Sequence, residues 1–431
     1  MRPNARQRPT PISHSLLHAF RSSIPILLIA ALVPACNDAP KSRGDAAEAE
    51  AAQAGAEVAP ESTATQAASD GAEAERGSGS VASEDAATPG PILDCVARGA
   101  AKPICKFQSP EDIVALPGNE ALLISGYGVT GADGRIREPG TLYLFRLDDE
   151  SVERLYGGGT QADVAEAGWG DPTCPAPPAD RFNAHGIDLV RRDDGRLALL
   201  VVQHFGREAI EFFEVTGASR DWKLAWKGCV LAPPDASLNE VVGLPNGDFY
   251  TTKMASVSGA SDFTEAIPNE PTGNAFAWSA DTGYRRIAGT DGIMTNGIAA
   301  SPDGKTIYVN ITMQNEVRKV DAATGEILAT ASVKMPDNVT WAPDGKRLLV
   351  ASLHGFETAE FGLCVDLPAG ACPIPFAIQA VDPETMTPLG PVYESTGAPM
   401  GGGTVGLQVG DELFVGSFTG DRILRIDLNA D

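Results

Sequence analysis

From residue 91 to residue 431 the amino-acid sequence predicts an all-β fold, a six-bladed β-propeller around a central channel, and three observations carry that reading. Short apolar strand cores follow one another: Leu122-Leu123-Ile124, Leu142-Tyr143-Leu144-Phe145, Leu199-Leu200-Val201-Val202, Ile307-Tyr308-Val309 and Leu348-Leu349-Val350. No stretch between them sustains the period of about 3.6 residues that marks an amphipathic helix. A polar tight turn also recurs six times, each time just ahead of a strong strand.

Those turns are Leu116-Pro117-Gly118-Asn119, Arg192-Asp193-Asp194-Gly195, Leu244-Pro245-Asn246-Gly247, Ser301-Pro302-Asp303-Gly304, Ala342-Pro343-Asp344-Gly345 and Val409-Gly410-Asp411. Gly and Asn supply the positive φ that such turns need, and Pro presets the φ before it. Spread over 341 residues, six turns mark units of about 57 residues, the size of a four-stranded blade. Asn315 to Asp321 and Asp421 to Asp427 repeat one strand phrase and belong to blades, not to chemistry. Function in such a ring sits on polar residues at strand ends around the channel.

The first ninety residues read differently. Arg2, Arg6, Arg8 and Arg21 precede an apolar run from Ile24 to Val33, which ends in Pro34, Ala35 and Cys36. A basic start, a short apolar core and small residues before a cut site describe an export signal over residues 1–36. The run is too short to span a membrane as a helix, for which about 20 apolar residues are needed. Val33-Pro34-Ala35-Cys36 resembles the lipobox of bacterial lipoproteins, which makes Cys36 the expected lipidation site; plain signal cleavage is the alternative. Residues 37–90 carry 11 acidic and 3 basic side chains and no aromatic one, so they are expected to form a disordered tether.

Seven Cys occur, and setting Cys36 aside leaves six, an even number that suits disulfides in an exported chain. The close pairs Cys95/Cys105 and Cys364/Cys372, with Cys174/Cys229 left over, are the expected connectivity, though spacing alone does not fix it. The formal net charge of −24 argues against a nucleic-acid partner. Membrane contact is expected through the lipid anchor alone, in the cell envelope or at the outer surface; without the lipid the chain is expected to be periplasmic or secreted. No obligate protein partner is expected.

Three of the five His lie beyond the export signal: His185 in Phe182-Asn183-Ala184-His185-Gly186-Ile187, His204 after Val201-Val202-Gln203, and His354 after Leu353. A single His near Gly is commonly a turn residue, but three at strand ends make a candidate site. Oxygen-bearing pairs sit at strand boundaries too: Glu111-Asp112, Asn239-Glu240, Asn296-Gly297 and Asp337-Asn338. Calcium takes ~6–8 oxygen ligands, and neutral Asn completes such a shell without piling up like charges. Each pair taken singly reads more readily as an ordinary turn than as a ligand. No zinc spacing, nucleophile elbow, P-loop or dinucleotide fingerprint is present in the sequence.

Taken in order, Phe182 to Ile187, the strand ending at His204, Leu238-Asn239-Glu240, Thr295-Asn296-Gly297-Ile298 with Ser301 to Lys305, and Asp337-Asn338 resemble the serum paraoxonase family. Their spacing fits from Ser109-Pro110-Glu111-Asp112 to Gly403-Thr404-Val405, so the resemblance covers nearly all of residues 105–430. It implies a calcium-dependent hydrolase of lactones and aryl esters with two calcium ions in the tunnel. By motif, Glu111, Asn239, Asn296, Asp337 and Asn338 correspond to the catalytic calcium shell. Asp112, Glu240 and the carbonyl of Ile187 correspond to the structural one. The resemblance further implies that His185 deprotonates water with His204 as its relay partner, and that His354 orients the substrate.

Departures accompany the likeness. Glu240 stands where the family usually has Asp, and its longer side chain is expected to shift the structural site. Nothing after Cys372 supplies the family's inter-terminal disulfide, and the Ser-, Gly- and Pro-rich stretch Lys253 to Asn274, matching a variable lid, transfers no substrate preference. Two other readings stand beside the hydrolase: a gluconolactonase-like enzyme with a different substrate, and a lipid-anchored propeller scaffold that does no chemistry.

Overall fold

In the computed structural model the described residues are 90–430, apart from 131–135, 158–164, 178–179, 258–268, 356–361, 365–366 and 368. The expected export signal, Cys36 and all but the last residue of the expected tether lie outside them.

Six four-stranded antiparallel sheets make up the chain. The first blade runs outward from Pro110–Ala115 through Ala121–Gly126 and Thr141–Arg146 to Val152–Tyr156. The next four start at the inner strands Ala184–Arg191, Ser237–Gly243, Thr295–Ala300 and Pro336–Trp341. Each of these inner strands packs on the next, and Gly403–Val409 of the sixth blade packs back on Pro110–Ala115, which closes the ring. No α-helix occurs among the described residues, and no helix there is long and apolar enough to cross a membrane. All six tight turns of the sequence join the first strand of a blade to its second.

The sixth blade borrows its outermost strand from the other end of the chain. Ala101–Ile104 pairs antiparallel with Ile423–Asp427, from Ala101 opposite Ile426 to Ile104 opposite Ile423. This pairing holds the ends together without an inter-terminal disulfide. Buried Arg422 strengthens it by donating to the carbonyls of Asp94 and Pro399.

The core lies between blades, as six apolar layers. Leu123 and Leu144 of the first blade meet Leu199 and Phe213 of the second, while Leu200 and Phe212 turn to Phe249 and Trp278 of the third. The same alternation sends Leu348 to Tyr308 on one side and Leu349 to Leu413 on the other. Because a strand alternates its side chains, a blade covered on both faces needs apolar residues at consecutive positions. That requirement is why the strand cores read as unbroken apolar runs.

Three disulfides form: Cys95–Cys105, Cys174–Cys229 and Cys364–Cys372, the expected set. They mark a chain made for an oxidising, extracytoplasmic compartment. Their sequence separations are 10, 55 and 8 residues. Closing the long loop restricts the unfolded chain by roughly 4 kcal/mol and each short one by roughly 2.5–3 kcal/mol. Replacing Cys174 and Cys229 together by Ser should therefore lower the Tm more than either of the other paired replacements, as measured by calorimetry.

Candidate metal centre and active site

One backbone feature builds the site. In every inner strand the pairing with the second strand breaks register near the start: between Pro110 and Ile113, Ala184 and Ile187, Leu238 and Val241, Thr295 and Ile298, Pro336 and Val339, and Gly403 and Val405. The residues skipped are Glu111-Asp112, His185-Gly186, Asn239-Glu240, Asn296-Gly297, Asp337-Asn338 and Thr404. Such a bulge re-aims side chains off the pleat. The four oxygen-bearing pairs that read as turns in the sequence are thus bulges within strands, with His185-Gly186 and the single residue Thr404 at the other two.

Glycine at two bulges has a steric reason. A Cβ on Gly186 would lie 2.5 Å from the Asn239 carbonyl oxygen and 2.6 Å from Glu240 Oε1. On Gly297 it would lie 2.5 Å from the Asp337 carbonyl oxygen and 2.7 Å from Asn338 Cα. The second and fourth blades yield space there so that the third and fifth can press their polar pairs inward.

Glu111, Asn239, Asn296, Asp337 and Asn338 are all buried, and they come together. The Asn338 amide donates to Glu111 Oε1 at 2.8 Å, from the fifth blade to the first. Thr404 Oγ1 donates to the Glu111 carbonyl at 2.8 Å, fixing that bulge from the sixth blade. Yet Glu111 Oε2 and the amide oxygens Asn239 Oδ1, Asn296 Oδ1 and Asn338 Oδ1 are buried without a hydrogen-bond partner. A buried acceptor left unpaired costs about 1–3 kcal/mol, so four in one place call for a ligand.

Deeper in the channel, Asp112 Oδ2 accepts from the Ile187 backbone N–H at 2.7 Å and Oδ1 from its neighbour Ile113 at 2.8 Å. Glu240 reaches toward Asp112 and accepts from Val241 N–H at 2.8 Å. Ile187 therefore meets the expected structural set through its N–H in this arrangement. A cavity of about 260 Å³ opens on the far side of Asp112, Glu240 and Asn338, toward Thr340 and Trp341.

The electrostatics are one-sided. Burial above all, then repulsion from Asp112 and Asp337, pushes the Glu111 carboxyl far up. Burial and the charges of Asp112 and Glu111 do the same to Glu240. Burial holds Asp112 and Asp337 up at about 7. Among the described residues no Lys or Arg pairs with any of the four, and the ionisable nitrogen that comes beside them is His185 Nε2, 3.8 Å from Glu111 Oε1. No three His, Cys, Asp or Glu side chains form a metal-holding group by themselves among the described residues. The fit to a cation arises once the Asn oxygens are counted: hard oxygen donors, surplus negative charge and unpaired acceptors suit a divalent ion such as calcium.

The histidines lie at the same mouth. His185 Nδ1 sits 2.8 Å from His204 Nε2. His204 Nδ1 in turn sits 2.8 and 2.9 Å from the two oxygens of Glu208. Tyr127 packs edge-on to His185, with ring centroids 5.1 Å apart, and against His204 at 5.7 Å. Burial, and then the neighbouring His204, holds His185 well below the usual imidazole range. His354 follows the second strand of the fifth blade, its Nε2 3.1 Å from Ser352 Oγ. Ser352 lies opposite Pro336 at the bulge, so His354 belongs to this end of the ring as well.

Sequence reasoning missed Glu208, Tyr127 and Asn310. Glu208 comes four residues after His204 across Phe205 and Gly206, both of positive φ, and that tight reversal was the available signal. Asn310 is buried in the second strand of the fourth blade, donates to the Asp337 carbonyl, and keeps an unpartnered Oδ1. Residues 258–268 of the expected lid lie outside the described residues. The strand before them, Phe249–Ala255, ends opposite Ser237 on the bulge side of its blade.

A closed six-bladed propeller whose polar and titratable groups converge at one end of its channel is laid out as an enzyme is. The chain belongs to the arylesterase family, whose model matches residues 104–428, and is thus a hydrolase of the esterase type. Among solved structures it is similar to a gluconolactonase from Xanthomonas campestris, at 15% identity over 79% of this chain and 95% of that one, with a TM-score of 0.43. A periplasmic gluconolactonase of Pseudomonas aeruginosa matches at 14% identity over 74% and 86%, TM-score 0.41. A calcium-binding regucalcin from Agrobacterium tumefaciens matches at 13% over 78% and 93%, TM-score 0.40. No curated protein sequence matches.

Gly297→Ala should lower the Tm, since the new Cβ meets backbone that cannot step aside; overpacking of this kind costs about 1–3 kcal/mol. An unchanged melting curve would contradict that geometry. The raised carboxyls also set a pH dependence. Asp112 and Asp337 titrate at about 7 when folded and near 4 when unfolded, so between those values the native state binds more protons. In chelator, stability should therefore fall as pH rises from about 4 to about 7. Calcium should flatten that slope, and melting curves with and without it across this range check the sign.

Proposed function

We propose that this chain is a calcium-dependent hydrolase of lactones and aryl esters, holding two calcium ions in its channel. The observation that carries the reading is the convergence of four orphaned buried oxygens on a site that also presents His185. Glu111, Asn239, Asn296, Asp337 and Asn338 would hold the catalytic ion, and Asp112, Glu240 and the Ile187 carbonyl the structural one. Each shell then contains two carboxylates, enough to neutralise one divalent charge. Glu240 in place of a shorter Asp still reaches Asp112, over the space that Gly186 leaves open.

Calcium, when bound, polarises the substrate carbonyl and stabilises the oxyanion that develops on it. The remaining work falls to side chains. His185 Nε2 takes a proton from the attacking water, and a neutral imidazole is what its burial favours. His204 holds the His185 ring in place through Nδ1, and Tyr127 closes one side of the pair. His354 orients the substrate at the rim. Upstream, residues 1–36 direct export and Cys36 carries the lipid, with residues 37–90 as a tether between membrane and enzyme.

Hydrolysis of phenyl acetate and of γ- and δ-lactones, measured with calcium and with excess chelator, tests the reading. Turnover should require calcium. His185→Gln should reduce kcat roughly 10²–10⁴-fold while leaving the Tm nearly unchanged. A folded protein that binds calcium and turns over none of these substrates would instead be a binding scaffold.

A further inference from the structure

We propose that Glu208 is a positioning residue that fixes the proton arrangement of the histidine pair. The inference rests on the reading of His185 as the base. As a carboxylate, Glu208 offers only acceptors. Its Oε2 already accepts from the Leu238 backbone N–H of the third blade at 3.0 Å, and both oxygens face His204 Nδ1 at 2.8 and 2.9 Å. The short His204–Glu208 contacts therefore require the proton of His204 to be on Nδ1.

That placement decides the rest of the chain. His204 Nε2 is left as a lone pair, and it sits 2.8 Å from His185 Nδ1, so His185 must donate there. His185 then carries its single proton on Nδ1 and presents a bare Nε2 toward Glu111 and the channel. Reversing the His204 tautomer would set two N–H groups against each other or turn His185 so that Nε2 is protonated. Glu208 thus selects the one tautomer pair in which His185 can act as a base.

The same geometry accommodates the proton after it is taken. Water gives a proton to His185 Nε2, so the O–H bond breaks as the N–H bond forms. The Nδ1 proton of His185 can then pass to His204 Nε2, leaving His185 neutral and His204 an imidazolium against the Glu208 carboxylate. The proton returns by the same route to the departing alkoxide or phenoxide oxygen. A carboxylate bonded to one nitrogen of a ring whose other nitrogen faces the base orients that ring as well as balancing its charge. The clamp is rigid: Glu208 is tied to the third blade, and the His204 N–H donates to the Asn183 carbonyl at 3.1 Å.

Two variants of the full-length protein test this: Glu208→Leu, which removes the acceptor, and Glu208→Gln, which keeps an oxygen but loses the charge. With calcium and phenyl acetate, kcat should fall roughly 10–100-fold in the first and several-fold in the second, at little change in KM. Imidazole ¹⁵N shifts should show His204 protonated on Nδ1 in the wild type and mixed between nitrogens in Glu208→Leu. Variants that melt at lower temperature yet keep the wild-type kcat would make Glu208 only a clamp between blades and overturn the proposal. So would an unchanged Nδ1–H signal in Glu208→Leu. Should that variant not fold, full kcat in Glu208→Gln overturns it equally. A wild type inert toward phenyl acetate and lactones would sink the hydrolase reading instead, and the nitrogen shifts alone would then decide the role of Glu208.

Discussion

Four carboxylates, Glu111, Asp112, Glu240 and Asp337, are buried together in the channel with no Lys or Arg paired to them among the described residues. Burying like charges at close range is costly unless each is neutralised, by a proton or by a cation. Their raised pKa values express the first solution, and the unpartnered Asn oxygens beside them prepare the second. The surrounding structure has to hold these groups against their own repulsion. It does so by placing them on the innermost strands of a closed ring, where each is pressed by the neighbouring blade and none can retreat to solvent.

The ring can bear that load because its cohesion lies elsewhere. Six apolar layers between blades supply the burial, and the borrowed strand Ala101–Ile104 completes the sixth blade with chain from before the first, which ties the ring shut. The bulges then act as local exceptions to regular pairing. Each gives up ladder hydrogen bonds at one or two residues and in exchange turns polar side chains inward. Small compensations restore part of the loss, as where Ser125 Oγ accepts from Asp112 N–H at 2.9 Å and Thr252 Oγ1 from Glu240 N–H at 3.1 Å.

The histidine pair depends on the same frame at one remove. His185 occupies the bulge of the second blade, whereas His204 and Glu208 come from the reversal after the next strand. Glu208 bonds to the third blade, so the chemistry of the pair is tied to the packing of two blades and not to one loop. Tyr127, from the first blade, completes the enclosure.

Much of this was legible in the sequence for a specific reason. Consecutive apolar residues such as Leu199 to Val202 and the six polar turns are local requirements of blades covered on both faces, so they are written along the chain. The ligand candidates were legible as residue types, because oxygen donors at strand starts are few. Sequence could not tell a bulge from a turn at Asn296-Gly297, since both place Gly beside Asn; only the register against Thr306–Ile311 separates them. Nor could it show that Glu240 reaches Asp112, that Glu208 meets His204, or that buried Arg422 donates to the carbonyls of Asp94 and Pro399. Those facts join residues from different blades or across a reversal, and they exist only once the ring has closed. The sequence by itself determined the blades, the even set of cysteines available for pairing and the inventory of the channel. Tertiary structure alone decided which of those groups face one another, because contacts between blades depend on closure and leave no periodic trace in the chain.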